Sequence, residues 1–205
     1  MIMKLKDIFL NFFGVFYITI AIIAFYDSII NKGLSSVLWF SYTVFLFIGL
    51  GILFRSSYLI GSQLNIILFP YILWSIDFIY RLFSKDSLLG ITDYIFLSRP
   101  FISQIISLQH LIIIPISLIS LYSIKFKRTN FWIFSIIQII FFFILTRIFS
   151  SPSENINCVF RNCLIFNIPS SIYIFLWFIG YFLMIFLANF FLINIKYLNY
   201  KHLKK

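Results

Sequence analysis

Residues 101–124 read FISQIISLQHLIIIPISLISLYSI, with no Asp, Glu, Lys or Arg among them. At 1.5 Å per residue, about 20 apolar residues cross the roughly 30 Å hydrocarbon core of a bilayer. The run is continuous rather than alternating, which excludes a strand of a transmembrane barrel. It predicts a transmembrane helix.

Five further runs of the same character flank it: Ile8–Tyr26, Leu34–Phe54, Tyr58–Phe83, Phe131–Ser150 and Ser171–Ile195. The expected fold class is therefore all-α, a polytopic membrane helix bundle of six transmembrane helices. Residues 1–205 are expected to form a single integral membrane domain. Composition points the same way: 62% of residues are hydrophobic, 22% aromatic and only 11% charged. A soluble domain carries about 25% charged residues, so a soluble fold of this size would lack a polar surface. Mean hydropathy is +1.04. The start of the chain carries Lys4 and Lys6 before an apolar run too long for a signal peptide, and no A-x-A-like site follows, so it reads as a retained first span.

The net charge is +10. Because the basic residues sit between apolar runs, they indicate membrane topology rather than nucleic-acid binding. With the N-terminus inside, ten face the cytoplasm: Lys4, Lys6, Arg55, Lys125, Lys127, Arg128, Lys196, Lys201, Lys204 and Lys205. Six face outward: Lys32, Arg81, Lys85, Arg99, Arg147 and Arg161. Asp27, Asp77, Asp86, Asp93 and Glu154 also fall on the outer side. The excess of Lys and Arg inside predicts cytoplasmic termini, in a bacterial inner membrane.

Polar residues inside apolar helices mark candidate sites, because a charge in hydrocarbon is costly. In the third run Gln63, Pro70, Trp74, Asp77 and Arg81 share one helix face. Asp77 and Arg81, four residues apart, are placed to pair. A structural ion pair and a cavity wall are both open readings. In the fourth run Ser103, Ser107, His110 and Ser117 fall in one narrow arc, and Pro115 removes a helical hydrogen bond. His110 lies roughly 13 Å along that helix. It reads either as a hydrogen-bonded structural histidine or as a base; with no second ligand beside it, no metal is expected, and no cofactor. The fifth run places Ser135, Gln138 and Thr146 on one face, with Arg147 about 100° round.

Two longer connections, Ser84–Pro100 and Ser151–Ser170, carry Thr92, Arg99, Asn155, Asn157 and the only cysteines, Cys158 and Cys163. In an oxidising compartment a local disulfide is expected between them. All this polarity falls on the outer side, which argues for a site opening outward, with membrane lipids as partners and a lipid or small molecule as substrate. In the enzyme reading His110 is a general base oriented by Asp77. Thr92, Ser107 or a water is the nucleophile, and Arg147, Arg99, Asn155, Asn157 and Gln138 bind substrate. A transporter is a second reading, although the inner halves of these spans offer only Gln63, Asn65 and Ser117. A structural or accessory subunit is a third; a surplus of Phe and Ile with few Gly suits tight helix contacts poorly. No H-E-x-x-H, G-x-S-x-G, P-loop or G-x-G-x-x-G is present.

From Gly90 to Asn189 the segments Thr92-Asp93-Tyr94, Ser107-Leu108-Gln109-His110 and Pro152-Ser153-Glu154-Asn155-Ile156-Asn157 follow one another. In this order they resemble an uncharacterised group of bacterial multi-pass membrane proteins with T-x-Y, S-L-x-H and P-x-x-N-x-N segments, over about half the chain. The layout of six spans, cytoplasmic termini and one intramembrane histidine is also similar to that of the androgen-induced hydrolases of fatty-acid esters. The likeness is one of layout alone, and implies Thr92 and His110 as the reacting pair.

Overall fold

The structure, a computed structural model, describes residues 2–97, 100–125, 129–163 and 168–202, with side chains described from 5 to 194 within those ranges. It is an all-α membrane helix bundle. The helices are α1 (Ile2–Asn31), α2 (Phe40–Leu53), α3 (Ser57–Phe83), the single turn α4 (Asp93–Phe96), α5 (Phe101–Ile124), α6 (Trp132–Phe149) and α7 (Ser170–His202). Short 3₁₀ helices cover Leu34–Leu38 and Ile156–Cys158. Among the described residues, α1, α3, α5, α6 and α7 are long and apolar enough to cross a membrane.

The second expected span differs from the structure. Leu34–Phe54 is divided at Trp39 into a 3₁₀ turn and the 14-residue α2. At 1.5 Å per residue α2 covers only about 21 Å. The break has a specific cause. Trp39 adopts an extended conformation, which strips the neighbouring peptide groups of helical partners. The side chain of Asn157 supplies them: Phe40 N–H donates to its Oδ1 at 2.9 Å, and its Nδ2 donates to the Leu38 carbonyl at 2.7 Å. One amide from a distant loop thus replaces two backbone partners, as a membrane interior requires.

Helices α1 and α2 run antiparallel and touch closely at two glycines. A Cβ on Gly49 would lie 2.9 Å from the Gly14 carbonyl and 2.9 Å from the Ile18 amide, while one on Gly14 would lie 2.6 Å from Leu53. Gly14 and Gly49 thus allow one close approach of α1 and α2. Neither backbone neighbour of Gly49 moves easily, so Gly49→Ala should destabilise the bundle by about 1–3 kcal/mol. Unfolding in a denaturing detergent should show it, with a replacement at Gly180, which faces open space, as the neutral control.

The turn from α2 to α3 is tight. Arg55 sits at φ 53°, Arg55 N–H bonds the Ile52 carbonyl at 3.2 Å and Ser56 N–H bonds the Gly51 carbonyl at 2.7 Å. This is a Schellman closure with arginine where glycine is usual. The Arg55 guanidinium holds the turn, reaching the Ile52 carbonyl at 2.7 Å, Asn11 at 2.8 Å and Asp7 at 3.5 Å. Ser56 then caps α3 by accepting from Leu59 N–H at 3.3 Å.

Helix α3 lies at the centre, packed on α2, α5, α6 and α7. Its lower half is tied to its neighbours by amides. Gln63 and Gln138 bond each other reciprocally at 2.8 and 3.1 Å. Asn65 donates to Ser135 and to Asn189, both at 3.4 Å, and Ser135 Oγ donates to the Ser62 carbonyl at 2.8 Å. Around them Ile60, Leu64, Ile113 and Ile139 are fully buried. α1 begins and α7 ends at this end of the bundle. Both long connections close the other, loop-rich end.

Candidate functional site

At the loop-rich end the helices part around a partly open cavity of about 610 Å³. Ile66, Ile67, Pro70, Tyr71 and Trp74 of α3 form one wall, and Ser103, Ile106, Ser107 and His110 of α5 another. Trp39, Phe40, Ser41 and Tyr42 line the side toward α2. Gly90, Ile91 and Tyr94 of the first loop and Asn155, Asn157, Cys158, Arg161, Asn162 and Cys163 of the second cover it.

His110 is half-buried in this wall. Its ring stacks on Trp74 with centroids 4.8 Å apart, packs against Tyr71 at 4.2 Å and meets the edge of Phe45 at 6.1 Å. Nδ1 lies 2.6 Å from the Ser107 carbonyl oxygen. A carbonyl only accepts, so Nδ1 carries the ring proton and Nε2 keeps its lone pair. Nε2 has no partner among the described residues. The aromatic rings hold the imidazole plane and the Ser107 carbonyl selects the tautomer. An imidazole oriented in this way presents Nε2 as an acceptor for a hydrogen bond or a proton.

Ser107 therefore serves through its backbone; its own hydroxyl donates to the Ser103 carbonyl at 2.9 Å. The expected orientation of His110 by Asp77 is not formed. Asp77 is fully buried, and its carboxylate accepts from Leu89 N–H at 2.6 Å, Thr92 N–H at 2.9 Å and the Thr92 hydroxyl at 2.7 Å. Nor does it pair with Arg81, which bonds Asp93 instead and lies over the Phe96 ring at 4.8 Å. The first loop folds back over the end of α3 and offers Asp77 three donors, so the four-residue spacing loses to the tertiary fold. Asp77 and Thr92 pin the cavity's cover, with Trp74 Nε1 bonding the Tyr94 hydroxyl at 3.1 Å beside them.

The other expected ligand-binding residues are distributed unevenly. Asn155 and Asn157 line the cavity, but their amides are already engaged. Asn155 accepts from Phe160 and Arg161 N–H, each at 3.1 Å, and donates to the Arg161 carbonyl at 3.0 Å. Asn157 holds the break before α2, donates to the Thr146 hydroxyl at 3.3 Å, and offers its own carbonyl to Trp177 Nε1 at 3.1 Å. Arg147 turns away, with its guanidinium 4.7 Å from the Phe160 ring centre and 3.4 Å from the Val159 carbonyl. Gln138 lies below the cavity in its pair with Gln63. Arg99 lies outside the described residues. Cys158 and Cys163 are joined as a disulfide that lines the cavity mouth. Among the described residues no group of three His, Cys, Asp or Glu is placed to hold a metal ion.

One cluster escaped the sequence reading. Asp27, near the end of α1 and 2% exposed, accepts from Ser103 Oγ at 2.7 Å and Asn31 Nδ2 at 2.9 Å, and pairs with Lys32 Nζ at 2.6 Å. Lys32 Nζ also lies 3.4 Å from the Tyr42 hydroxyl, and both line the cavity. The available signal was an acid directly after the first apolar run, with Asn31 four residues and Lys32 five residues on.

Glu154 fastens the second loop from outside. Its carboxylate accepts from the Ser35 hydroxyl, from Ser151 N–H at 2.6 Å and from the Ser151 hydroxyl at 2.9 Å. These bonds, that of Ser35 first, hold its pKa below the ordinary 4.5. A depressed folded pKa means the tie is intact above the unfolded value and lost as pH falls through the folded one. Protection of the Ser151 amide against hydrogen exchange, taken relative to its intrinsic rate, should therefore fall as pH drops below 4.5, and Glu154→Gln should lose that step.

The chain matches no protein-family model, no curated protein and no solved structure.

Proposed function

We propose that this protein is a lipid-directed membrane hydrolase or acyl transferase whose site opens outward, with His110 as general base. The observation that carries the reading is the Nε2 of His110, without a partner among the described residues, in a tautomer fixed by Ser107, in the wall of a cavity at membrane depth. Water held there loses a proton to Nε2 as it attacks an ester carbonyl, and the imidazolium returns that proton to the departing alcohol. An acyl transfer differs only in that an alcohol replaces the water. The aromatic walls thin the water around the reacting groups, which strengthens their electrostatics.

Two observations favour this over a solute path. The cavity is polar and aromatic at one end only. Below it, fully buried Ile60, Leu64, Ile113 and Ile139 close the core, and Gln63 and Gln138 there are bonded to each other. The excess of basic residues at the end bearing both termini supports cytoplasmic termini, an outward cavity and residence in a bacterial inner membrane. Helix α2 carries the chain from the 3₁₀ turn at the loop-rich end back to Arg55 beside Asn11 of α1, and is counted in this reading as the sixth crossing.

The test is hydrolysis by pure protein in liposomes carrying a panel of glycerolipids and fatty-acid esters, read by mass spectrometry of released acids and new esters. Release dependent on His110 supports the proposal. If no acyl group is released or moved from any lipid, by protein shown to be folded, the proposal fails.

A further inference from the structure

The residues that line the cavity include two fixed cations, Lys32 and Arg161, and no Asp or Glu among those described. They differ in standing. Lys32 is neutralised by Asp27, behind the wall, at 2.6 Å. Arg161 is exposed on the second loop and has no carboxylate partner among the described residues. The Asn155 side chain grips the peptide groups on both sides of Arg161, and the Cys158–Cys163 disulfide closes the loop around it. The guanidinium is thus carried on a braced loop at the mouth. The cavity presents an excess of one positive charge there, and the Lys32 ammonium also lines it.

Size limits the occupant. If each heavy atom takes roughly the 30 Å³ of a water, 610 Å³ holds about twenty of them. A fatty acid with one chain fits whole, a lysophospholipid leaves part of its head group outside the mouth, and a two-chain phospholipid enters only in part. Below the mouth the surface is apolar, with Ile66, Ile67, Pro70 and Ile106 facing the space. Ser103, which is bonded to the carboxylate that holds Lys32, lies two helical turns above His110. Seven residues at 1.5 Å place the base roughly 10 Å below the cationic rim.

We infer that the cavity is a site for an amphiphile with one chain and one negative charge, its anion between Arg161 and Lys32 and its chain passing His110. The anion is a carboxylate or a phosphodiester. Arg161 is the specificity-determining residue, since a guanidinium matches the two oxygens of either group. The inference rests on the proposed function only in making His110 the reacting group; the anion site stands on the charges and the volume.

The experiment is equilibrium binding to pure protein in phosphatidylcholine nanodiscs, with oleate and lysophosphatidylglycerol as anionic probes and monoolein as the neutral one. Both anionic probes should bind at least about tenfold tighter than monoolein, the ratio that one charge-assisted contact supplies. Arg161→Gln, at an exposed position, should remove most of that preference and leave monoolein unchanged. The double variant Asp27→Asn with Lys32→Met, which leaves no buried charge unpaired, should lower it as well. Millimolar inorganic phosphate should not displace oleate. Equal affinity for neutral and anionic probes, or an undiminished preference in Arg161→Gln, would overturn the inference. Full displacement by free phosphate would overturn it too, since the chain would then contribute nothing. His110→Ala keeps the rim, so its preference should persist. A preference without any turnover by the wild type would leave this site standing and remove the hydrolase.

Discussion

Replacing His110 by alanine is expected to lower lipid turnover by roughly 10²–10⁴-fold, the range that a positioned general base supplies, with little change in fold. The loss follows from Nε2 being the one unpaired nitrogen of a ring whose other nitrogen is committed to the Ser107 carbonyl. The ring also packs on Trp74 and Tyr71, so a modest packing loss accompanies the change. His110→Phe keeps the aromatic contacts without the base, and should be as inactive as alanine but as stable as the wild type. Thr92→Val supplies the complementary result. It keeps the N–H that bonds Asp77 and removes only the hydroxyl. Turnover should stay near the wild-type rate. A collapse of activity in stable Thr92→Val protein would instead point to the Thr92 and His110 pair implied by the likeness to the androgen-induced hydrolases.

The second large effect is on stability. Asn157→Leu is expected to cost roughly 3–5 kcal/mol, because it strands two main-chain groups at membrane depth, at about 1–3 kcal/mol each, and adds a side chain at a strained backbone. Phe40 N–H and the Leu38 carbonyl lose the Asn157 amide that partners them at the Trp39 break. The Thr146 hydroxyl loses a donor. Position 157 has φ 53°, which asparagine tolerates far better than leucine. The cavity wall formed by Trp39, Phe40 and Tyr42 depends on this arrangement, so oleate binding should weaken along with the fold. Unfolding in denaturing detergent measures the first effect and nanodisc binding the second. Asn157→Asp keeps one acceptor but loses the donor to Leu38, and should fall between.

Much of the fold was legible because crossing a bilayer imposes a length and a composition on each segment. Phe101–Ile124 and Tyr58–Phe83 correspond within a residue or two to α5 and α3. The break inside the second expected span was missed because nothing within Leu34–Phe54 announces it. The partner that permits it, Asn157, lies 117 residues from Phe40. The site was legible in part for the same reason. A histidine on an apolar helix stands out alone, and His110 does line the cavity. Its orienting group is a main-chain carbonyl one turn away, which leaves no trace in residue identity. The local spacing rule joined Asp77 to Arg81, whereas the fold gives Asp77 to a loop 12 to 15 residues on. Gln138 looked like a binding residue until its reciprocal partner Gln63, 75 residues away, came beside it. Lys32 and Asp27 were read as topology markers, since only the packing of α1 on α5 brings Ser103 to them.

The most direct measurement is the lipid profile of cells carrying the wild type against His110→Ala at matched expression. If His110 is the base of a lipid-directed site, one lipid class should accumulate in the mutant and its deacylated or transferred product should fall. Identical profiles, with the mutant protein folded and abundant in the membrane, would make His110 a structural histidine and contradict the proposed chemistry.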